Sequence, residues 1–432
     1  MIRLFFLTIA LLFTLPTFAQ TEPPANAEAV ANFKKFYNAG QPDSLFKRFS
    51  TEMKTALPID QFKATTLQLK SQLGNLQKAE FIKTEGPLSI YKAAFDKGTF
   101  LLNVALNDQK QYTGLLLKPY EAIAPAVAAQ SSALDASLAE TPYNLKTLAG
   151  NISGSLVMPK NATGKIPVVL IIAGSGPTDR DGNSPKLGLA ANDYLLLANE
   201  LGKNGIASVR YDKRLIGKST STTKESELKF DDMIEDALGL INQLNDDQHY
   251  SKIIVAGHSE GSLVGMLASQ DAPVNGFISL AGAGEQADKI LTEQMKSQPK
   301  FIADGFKAVL DSLRKGKLTP NVDPGLYAVA RPSIQNYLMT WCRFDPAREI
   351  KKLKIPVLIV QGTTDLQVTV ANAEKLKKAK SDAQLLIIPN MNHVLKDAPA
   401  DPAQNKATYT NPNLPLKPEL VKAVVDFVGK VK

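Results

Sequence analysis

The sequence predicts an α/β protein built on a doubly wound, mostly parallel sheet and preceded by a small α+β unit. Three observations carry this. From residue 166 onward, short β-branched runs alternate with helical patterns. Before residue 120 the order differs: helical patterns come first and strand-like runs follow. Between the two lies an Ala- and Ser-rich stretch, 121–141 (EAIAPAVAAQSSALDASLAET), with the composition of a linker. The 432 residues are 44% hydrophobic and 21% charged, which suits two or three globular domains.

The elements follow in order. Residues 1–20, MIRLFFLTIALLFTLPTFAQ, hold one basic residue, an apolar run too short to span a membrane, and the small residues Thr17 and Ala19. This is the pattern of a secretory signal cut near Ala19/Gln20, which predicts a secreted or periplasmic protein. Residues 25–120 begin with the helical patterns AVANFKKFYNAG, PDSLFKRFS and IDQFKATTLQLKSQLG. The runs AEFIKTEG, LSIYKAAFDKG, TFLLNVALND and QYTGLLLKPY then read as an antiparallel meander. This order resembles the cone-shaped domains related to nuclear transport factor and scytalone dehydratase. The stretch contains no histidine, so a non-catalytic role is expected.

From about 142, YNLKTLAG and ISGSLVMP read as a hairpin. Strands are expected at 166–174, 206–212, 252–259, 276–282, 355–362 and 384–390, with helices near 191–204, 231–245 and 418–430. Residues 285–345 interrupt this beat with partly apolar helical segments, which reads as a helical cap. Tyr337, Leu338 and Trp341 are candidates to line a pocket beneath it.

Residues 253–265, IIVAGHSEGSLVG, hold the pattern G-x-S-x-G between a β-branched run and a helix-compatible one. The pattern alone is weak. A strand-to-helix turn with glycine on both sides of serine is a nucleophile elbow, and it places Ser259 at a helix N-terminus that favours developing negative charge.

At this point residues 142–432 resemble an α/β-hydrolase. AGSGPTDRDGN, YDKRLIGKS, GHSEGS, FDPAREIKKLKIPVLIVQGTTDLQV and NMNH fall in that family's order. They are most similar to a secreted bacterial esterase group that joins this fold to a small N-terminal cone domain and is often grouped with serine aminopeptidases. The family usually has Gly after the arginine of YDKR, where this chain has Leu215. The resemblance implies a Ser-His-Asp triad, an acyl-enzyme, a small ester substrate and no cofactor.

The three histidines narrow the triad. His258 precedes the serine inside the elbow, where its side chain is expected to point away from Oγ. His249 precedes the strand, on the wrong side of the sheet. His393, just past the last strand, sits where ligands bind in open α/β sheets. Asp365 follows the strand 355–362 and matches the family order Ser, Asp, His. Asp345 and Asp382 lie at the wrong ends of strands, and Asp397 comes after the histidine. One oxyanion donor is expected from the backbone N–H of Glu260, whose side chain is read as structural. By resemblance the other comes from Ser175, with Gly176 as the alternative.

Other chemistries fit poorly. TDRDGN fails the calcium-loop pattern, because positions six and twelve from Asp179 are Ser184 and Ala190. Its charges are expected to pair and shape the mouth of the site. There is no H-E-x-x-H and no P-loop lysine, and Cys342 is the sole cysteine, so neither a metal nor a nucleotide is expected. The net charge of +8 comes from scattered basic residues without interleaved aromatics, so nucleic-acid binding is not expected. No membrane association is expected after signal cleavage.

Overall fold

The computed structural model describes residues 21–432 except 86, 120–133, 297, 299 and 323–325. The expected signal segment and most of the expected linker therefore lie outside the described residues. The chain divides into two compact units between residues 125 and 126.

In the first unit, helices Pro24–Asn38, Pro42–Phe46, Thr51–Ala56 and Ile59–Leu73 precede the strands Leu76–Glu85, Leu88–Phe95, Gly98–Leu106 and Tyr112–Pro119. The strands pair antiparallel in sequential order, a meander. The core is aromatic: Phe33, Tyr37, Phe49, Phe62, Tyr91 and Tyr112 are buried together. The Tyr112 hydroxyl donates to the Ala29 carbonyl at 2.6 Å, which ties the last strand to the first helix.

The second unit contains an eight-stranded sheet. Its strands are β1 Leu138–Pro142, β2 Gly154–Pro159, β3 Ile166–Ile172, β4 Ala207–Tyr211, β5 Tyr250–His258, β6 Gly276–Leu280, β7 Val357–Gly362 and β8 Gln384–Ile388. Their spatial order is β1-β2-β4-β3-β5-β6-β7-β8. β2 runs antiparallel to both neighbours, and the sheet from β4 to β8 is parallel. Successive side chains point to opposite faces, so one strand feeds two cores. Val168, Leu170 and Ile172 join one core, against helix α2 (Phe230–Asp246) and helix α3 (Glu260–Ala268). Val169 and Ile171 join the other, against α1 (Asp193–Lys203) and the last helix, Pro418–Lys430.

Between β6 and β7 the chain forms α4 (Ala287–Met295), α5 (Lys300–Arg314), α6 (Tyr327–Ala330) and α7 (Gln335–Trp341). They share a small core of their own, built on Phe306, Leu310, Leu313, Leu326 and Leu338. This is the helical insertion expected at 285–345.

Two expectations are corrected. Residues 138–141, read as the end of a linker, belong to β1, which pairs with β2 at the sheet edge. Only Leu138 of β1 is buried, so the strand carries no alternating apolar signal. The expected hairpin over 143–159 is shorter. Leu145–Thr147 pairs with Gly150–Ile152, while residues 154–159 leave to become β2.

Candidate active site

Ser259 lies between β5 and α3, at φ 52 and ψ −118. That left-handed backbone is costly for a side chain carrying a Cβ and persists only where the surroundings enforce it. The enforcement is visible. The Ser259 N–H donates to the Leu280 carbonyl at 2.9 Å, and the Ser259 carbonyl accepts from Ser262 N–H at 3.1 Å. A Cβ on Gly257 would run into the Gly261 carbonyl, and one on Gly261 into the Ile172 carbonyl. Both glycines of the motif are therefore required by close approach.

Asp365 and His393 follow β7 and β8, and the structure brings them together. The His393 Nδ1–H donates to Asp365 Oδ2 at 2.8 Å. The Gln361 amide donates to the same oxygen at 3.0 Å. The Gln367 and Val368 N–H groups donate to Oδ1 at 2.8 and 2.9 Å. Burial works to raise the Asp365 pKa, but His393 and these donors hold it below the usual carboxylate value. Such a carboxylate stays ionised, fixes the imidazole tautomer and leaves Nε2 as the basic nitrogen.

The rejected carboxylates and histidine sit elsewhere. Asp345 caps the helix Pro346–Lys352 by accepting from Ala347 N–H. Asp382 pairs with Lys380 and Asp397 with Lys417. His249 is exposed beside Asp247 at the amino end of β5.

His258 plays a part that was not expected from the sequence. It is buried, its ring centroid 4.8 Å from that of His393. Its Nε2–H donates to the His393 carbonyl at 2.8 Å. Its Nδ1 accepts from the Tyr194 hydroxyl at 2.7 Å, and the Tyr194 oxygen accepts from Gly174 N–H at 3.0 Å. Burial first, and then the proximity of His393, push the His258 pKa down to about 3, so the chain of bonds runs through a neutral ring. Nothing local in the sequence signals Tyr194, whose partner His258 lies 64 residues on; Gln361 lies only four residues before Asp365, but no motif marks it.

A cavity of about 30 Å³ adjoins the serine, with Ser175, Glu260, Leu263, Ile290 and Trp341 among its walls. Trp341 faces it as expected. Leu338 is buried in the cap core instead, and the Tyr337 hydroxyl donates to Glu260 Oε1 at 2.8 Å. In TDRDGN, Arg180 pairs with Asp212 at 2.7 Å and Asp181 with Arg210 at 2.9 Å. Asp179 differs from the expected charge pairing: its Oδ1 accepts the N–H groups of Asp181 and Asn183, which shapes a turn. Leu215 takes φ 63, the left-handed backbone that glycine adopts freely.

Residues 187–327 match a family model described as serine aminopeptidase, S33. Residues 30–115 match a family of unknown function. Esterase EstD of Thermotoga maritima is 24% identical over 362 residues, covering 82% of this chain and 84% of that protein. Among solved structures, Est1E of Butyrivibrio proteoclasticus with ferulic acid bound aligns at 20% identity and TM-score 0.45, covering 67% of this chain and 98% of that one. The Pyrococcus furiosus esterase PF2001 aligns at 14% identity and TM-score 0.45, covering 68% of this chain and 91% of that one. The strand order, the serine turn after β5 and the Asp365–His393 pair after β7 and β8 give the second unit an α/β-hydrolase fold with a helical cap, and a small α+β unit precedes it in the sequence.

Proposed function

We propose that the protein is a serine hydrolase that cleaves carboxylic esters with short acyl groups through an acyl-enzyme. The observation that carries this reading is the joint placement of three groups at the carboxyl ends of parallel strands: Ser259 in its left-handed turn, and the Asp365–His393 pair. A relative named as an esterase over most of the chain supports the substrate class.

In this reading Ser259 Oγ attacks the ester carbonyl carbon while His393 Nε2 takes its proton. The oxyanion of the tetrahedral intermediate is held by the N–H groups of Glu260 and Ser175. Collapse expels the alcohol, protonated by the His393 imidazolium, and leaves Ser259 acylated. Water then attacks the acyl carbon with His393 again as base, releasing the acid and restoring Ser259. Asp365 orients His393 and stabilises its charged form. The small cavity favours short acyl groups, since about 30 Å³ holds roughly two waters and longer chains must displace cap side chains.

A peptidase reading draws on the serine aminopeptidase match and on Glu285, a carboxylate on the cavity wall. Glu285 is paired with Lys375, and Asp288 with Arg314. Both carboxylates are thus already neutralised, which disfavours capture of a free α-amino group. The third possibility, a binding protein on an idle hydrolase fold, would give no turnover. Export to the periplasm or medium is proposed from residues 1–19 and is checked by fractionation of cells.

The test is Ser259→Ala. It should abolish labelling by a fluorophosphonate and lower kcat on p-nitrophenyl acetate by several orders of magnitude. The native protein should cleave that ester much faster than aminoacyl anilides. Unchanged labelling of the variant removes Ser259 from the role, and faster anilide cleavage moves the protein to the peptidases.

A further inference from the structure

Lys213 follows β4 and is buried, with 7% of its surface exposed. A lysine in that setting is costly unless its ammonium is fully engaged. Its Nζ donates to the Gly174 carbonyl at 2.5 Å and lies 3.6 Å from Glu260 Oε1. Burial draws the Lys213 pKa downward and Glu260 opposes that. The other elements packed here add few groups. Tyr337 reaches the same Glu260 oxygen from the cap, and Glu260 Oε2 is buried without a partner.

Lys213 touches Glu260, one proposed oxyanion donor, and the carbonyl of Gly174, the residue before the other donor, Ser175. The Gly174 carbonyl and the Ser175 N–H belong to one planar trans peptide, so they point in opposite directions. A strong donor on the carbonyl therefore sets the direction of the N–H. Glu260 supplies the second N–H from its own backbone, and its side chain is the acceptor at the other end of Lys213. On its opposite flank, the Gly174 N–H is held by Tyr194 and, through His258, by the His393 carbonyl. The two peptide units that meet at the Gly174 Cα are thus each held, one through its N–H by the loop of His393 and the other through its carbonyl by Lys213.

We propose that Lys213 is a positioning residue for the oxyanion hole, a strut between the Gly174 carbonyl and the Glu260 carboxylate that aims the Ser175 and Glu260 N–H groups at one point. This rests on the esterase reading and on Ser175 as the second donor. Lys213 touches no reacting atom. Its effect falls on the transition state, because the hole is occupied by developing negative charge and not by the resting carbonyl.

The test compares native protein, Lys213→Met and Lys213→Met/Glu260→Gln in the full mature chain. Lys213→Met leaves Glu260 as an uncompensated buried charge, so its melting temperature should drop. The double variant removes that charge and should melt near the native temperature. Both should lose about a hundredfold in kcat on p-nitrophenyl acetate, with KM within about threefold. Inhibition by butylboronic acid, whose tetrahedral adduct places an oxygen in the hole, should weaken in step with kcat/KM. A folded double variant with native kcat would mean that Lys213 only neutralises Glu260, and the proposal falls. A fall in kcat with unchanged boronate inhibition also overturns it, because the oxyanion hole would then be intact. Native protein inert to both the ester and a fluorophosphonate would overturn the esterase reading and this proposal together.

Discussion

The two units bury different kinds of side chain. Among the described residues of the first unit, the buried polar set is Ser50, Thr66, Ser89 and Asn103, and none is charged. The second unit buries Asp193, Arg210, Asp212, Lys213, Arg214, Asp236, His258, Glu260, Asp288, Glu349, Asp365, His393 and Lys396. An apolar core needs no buried charge, and placing one there costs stability unless it is well paired. The first unit is organised as a core organised by stability alone would be. In the second, many of these groups lie near the turn of Ser259 and the loops after β4, β7 and β8, while Asp236, Asp288 and Glu349 lie on helices. The contrast favours the second unit as the seat of the proposed chemistry.

The sharpest way to break this comparison is to disturb one buried polar group in each unit. Asp365→Asn keeps the size of the side chain but presents an amide to His393 Nδ1, favouring the wrong tautomer. It should lower kcat by about ten-thousandfold with little change in helix content. Asn103→Ala, which removes a weak 3.4 Å contact to the Leu116 carbonyl in the first unit, should leave kcat at the native value. Steady-state kinetics on one soluble ester decide it. Comparable losses from the two variants would mean that buried polarity does not mark the site.

The parts of this layout legible in the sequence are those that repeat or punctuate locally. The β-branched runs of β3, β5 and β7 announce themselves, and the glycines around Ser259 mark the elbow. His393 and Asp365 were reachable because both directly follow such runs. What was hidden depends on contacts between distant segments. β1 is a polar edge strand whose sequence, LAETP, carries no period. Lys213, Tyr194 and His258 act through side-chain bonds to residues far along the chain, which no local spacing encodes. His258 was expected to point away from the serine hydroxyl. What the sequence hid is where it does point: to the loop that carries His393, a partner 135 residues later.

His258 offers a smaller test inside the second unit. Its pKa falls to about 3 in the folded protein, from 6.5 as the reference, chiefly through burial. Between those values the unfolded chain binds the proton and the folded one does not. Its contribution to stability is therefore complete above pH 6.5 and is lost as pH falls toward 3. Each pH unit in that window costs about 1.4 kcal/mol, so acidification to pH 5 should cost the native protein about 2 kcal/mol through this group. His258→Gln should be the less stable protein at pH 7.5, because Tyr194 loses its acceptor. The gap should narrow by about 2 kcal/mol at pH 5. Urea unfolding of both proteins at the two pH values measures it, and a gap that stays constant would show that His258 is not held neutral by burial.

Leu215 tests a purely local cost. A leucine at φ 63 forgoes roughly 1–2 kcal/mol relative to a relaxed backbone. Glycine removes that strain but loses more conformational freedom on folding, about 0.5–1 kcal/mol. Leu215 is 40% exposed, so little packing is lost. Leu215→Gly should therefore stabilise by about 0.5–1 kcal/mol and leave kcat unchanged. A lower melting temperature would mean that the leucine side chain contributes packing that outweighs its backbone strain.

Removing the first unit altogether should also change catalysis little. Each unit has its own core, and every residue assigned to chemistry lies after 170. Where the cut falls matters because of β1. Leu138 packs with Val157 and Ala198, and Asp135 N–H donates to the Asn199 side chain at 2.8 Å. Glu140 pairs with the buried Arg210 at 2.9 Å. A fragment of residues 134–432 keeps these contacts and should retain kcat on a small ester within about threefold, any loss appearing in KM for bulky substrates. A fragment of residues 142–432 loses β1. It exposes β2 as an unpaired edge and leaves Arg210 without its Glu140 partner, so it should melt at a lower temperature and aggregate more readily. Expression of both fragments, with melting, light scattering and kcat against the full mature chain, tests the pair. A folded 134–432 fragment with kcat down a hundredfold would mean that the first unit completes the active site, and the division of labour between the units would have to be abandoned.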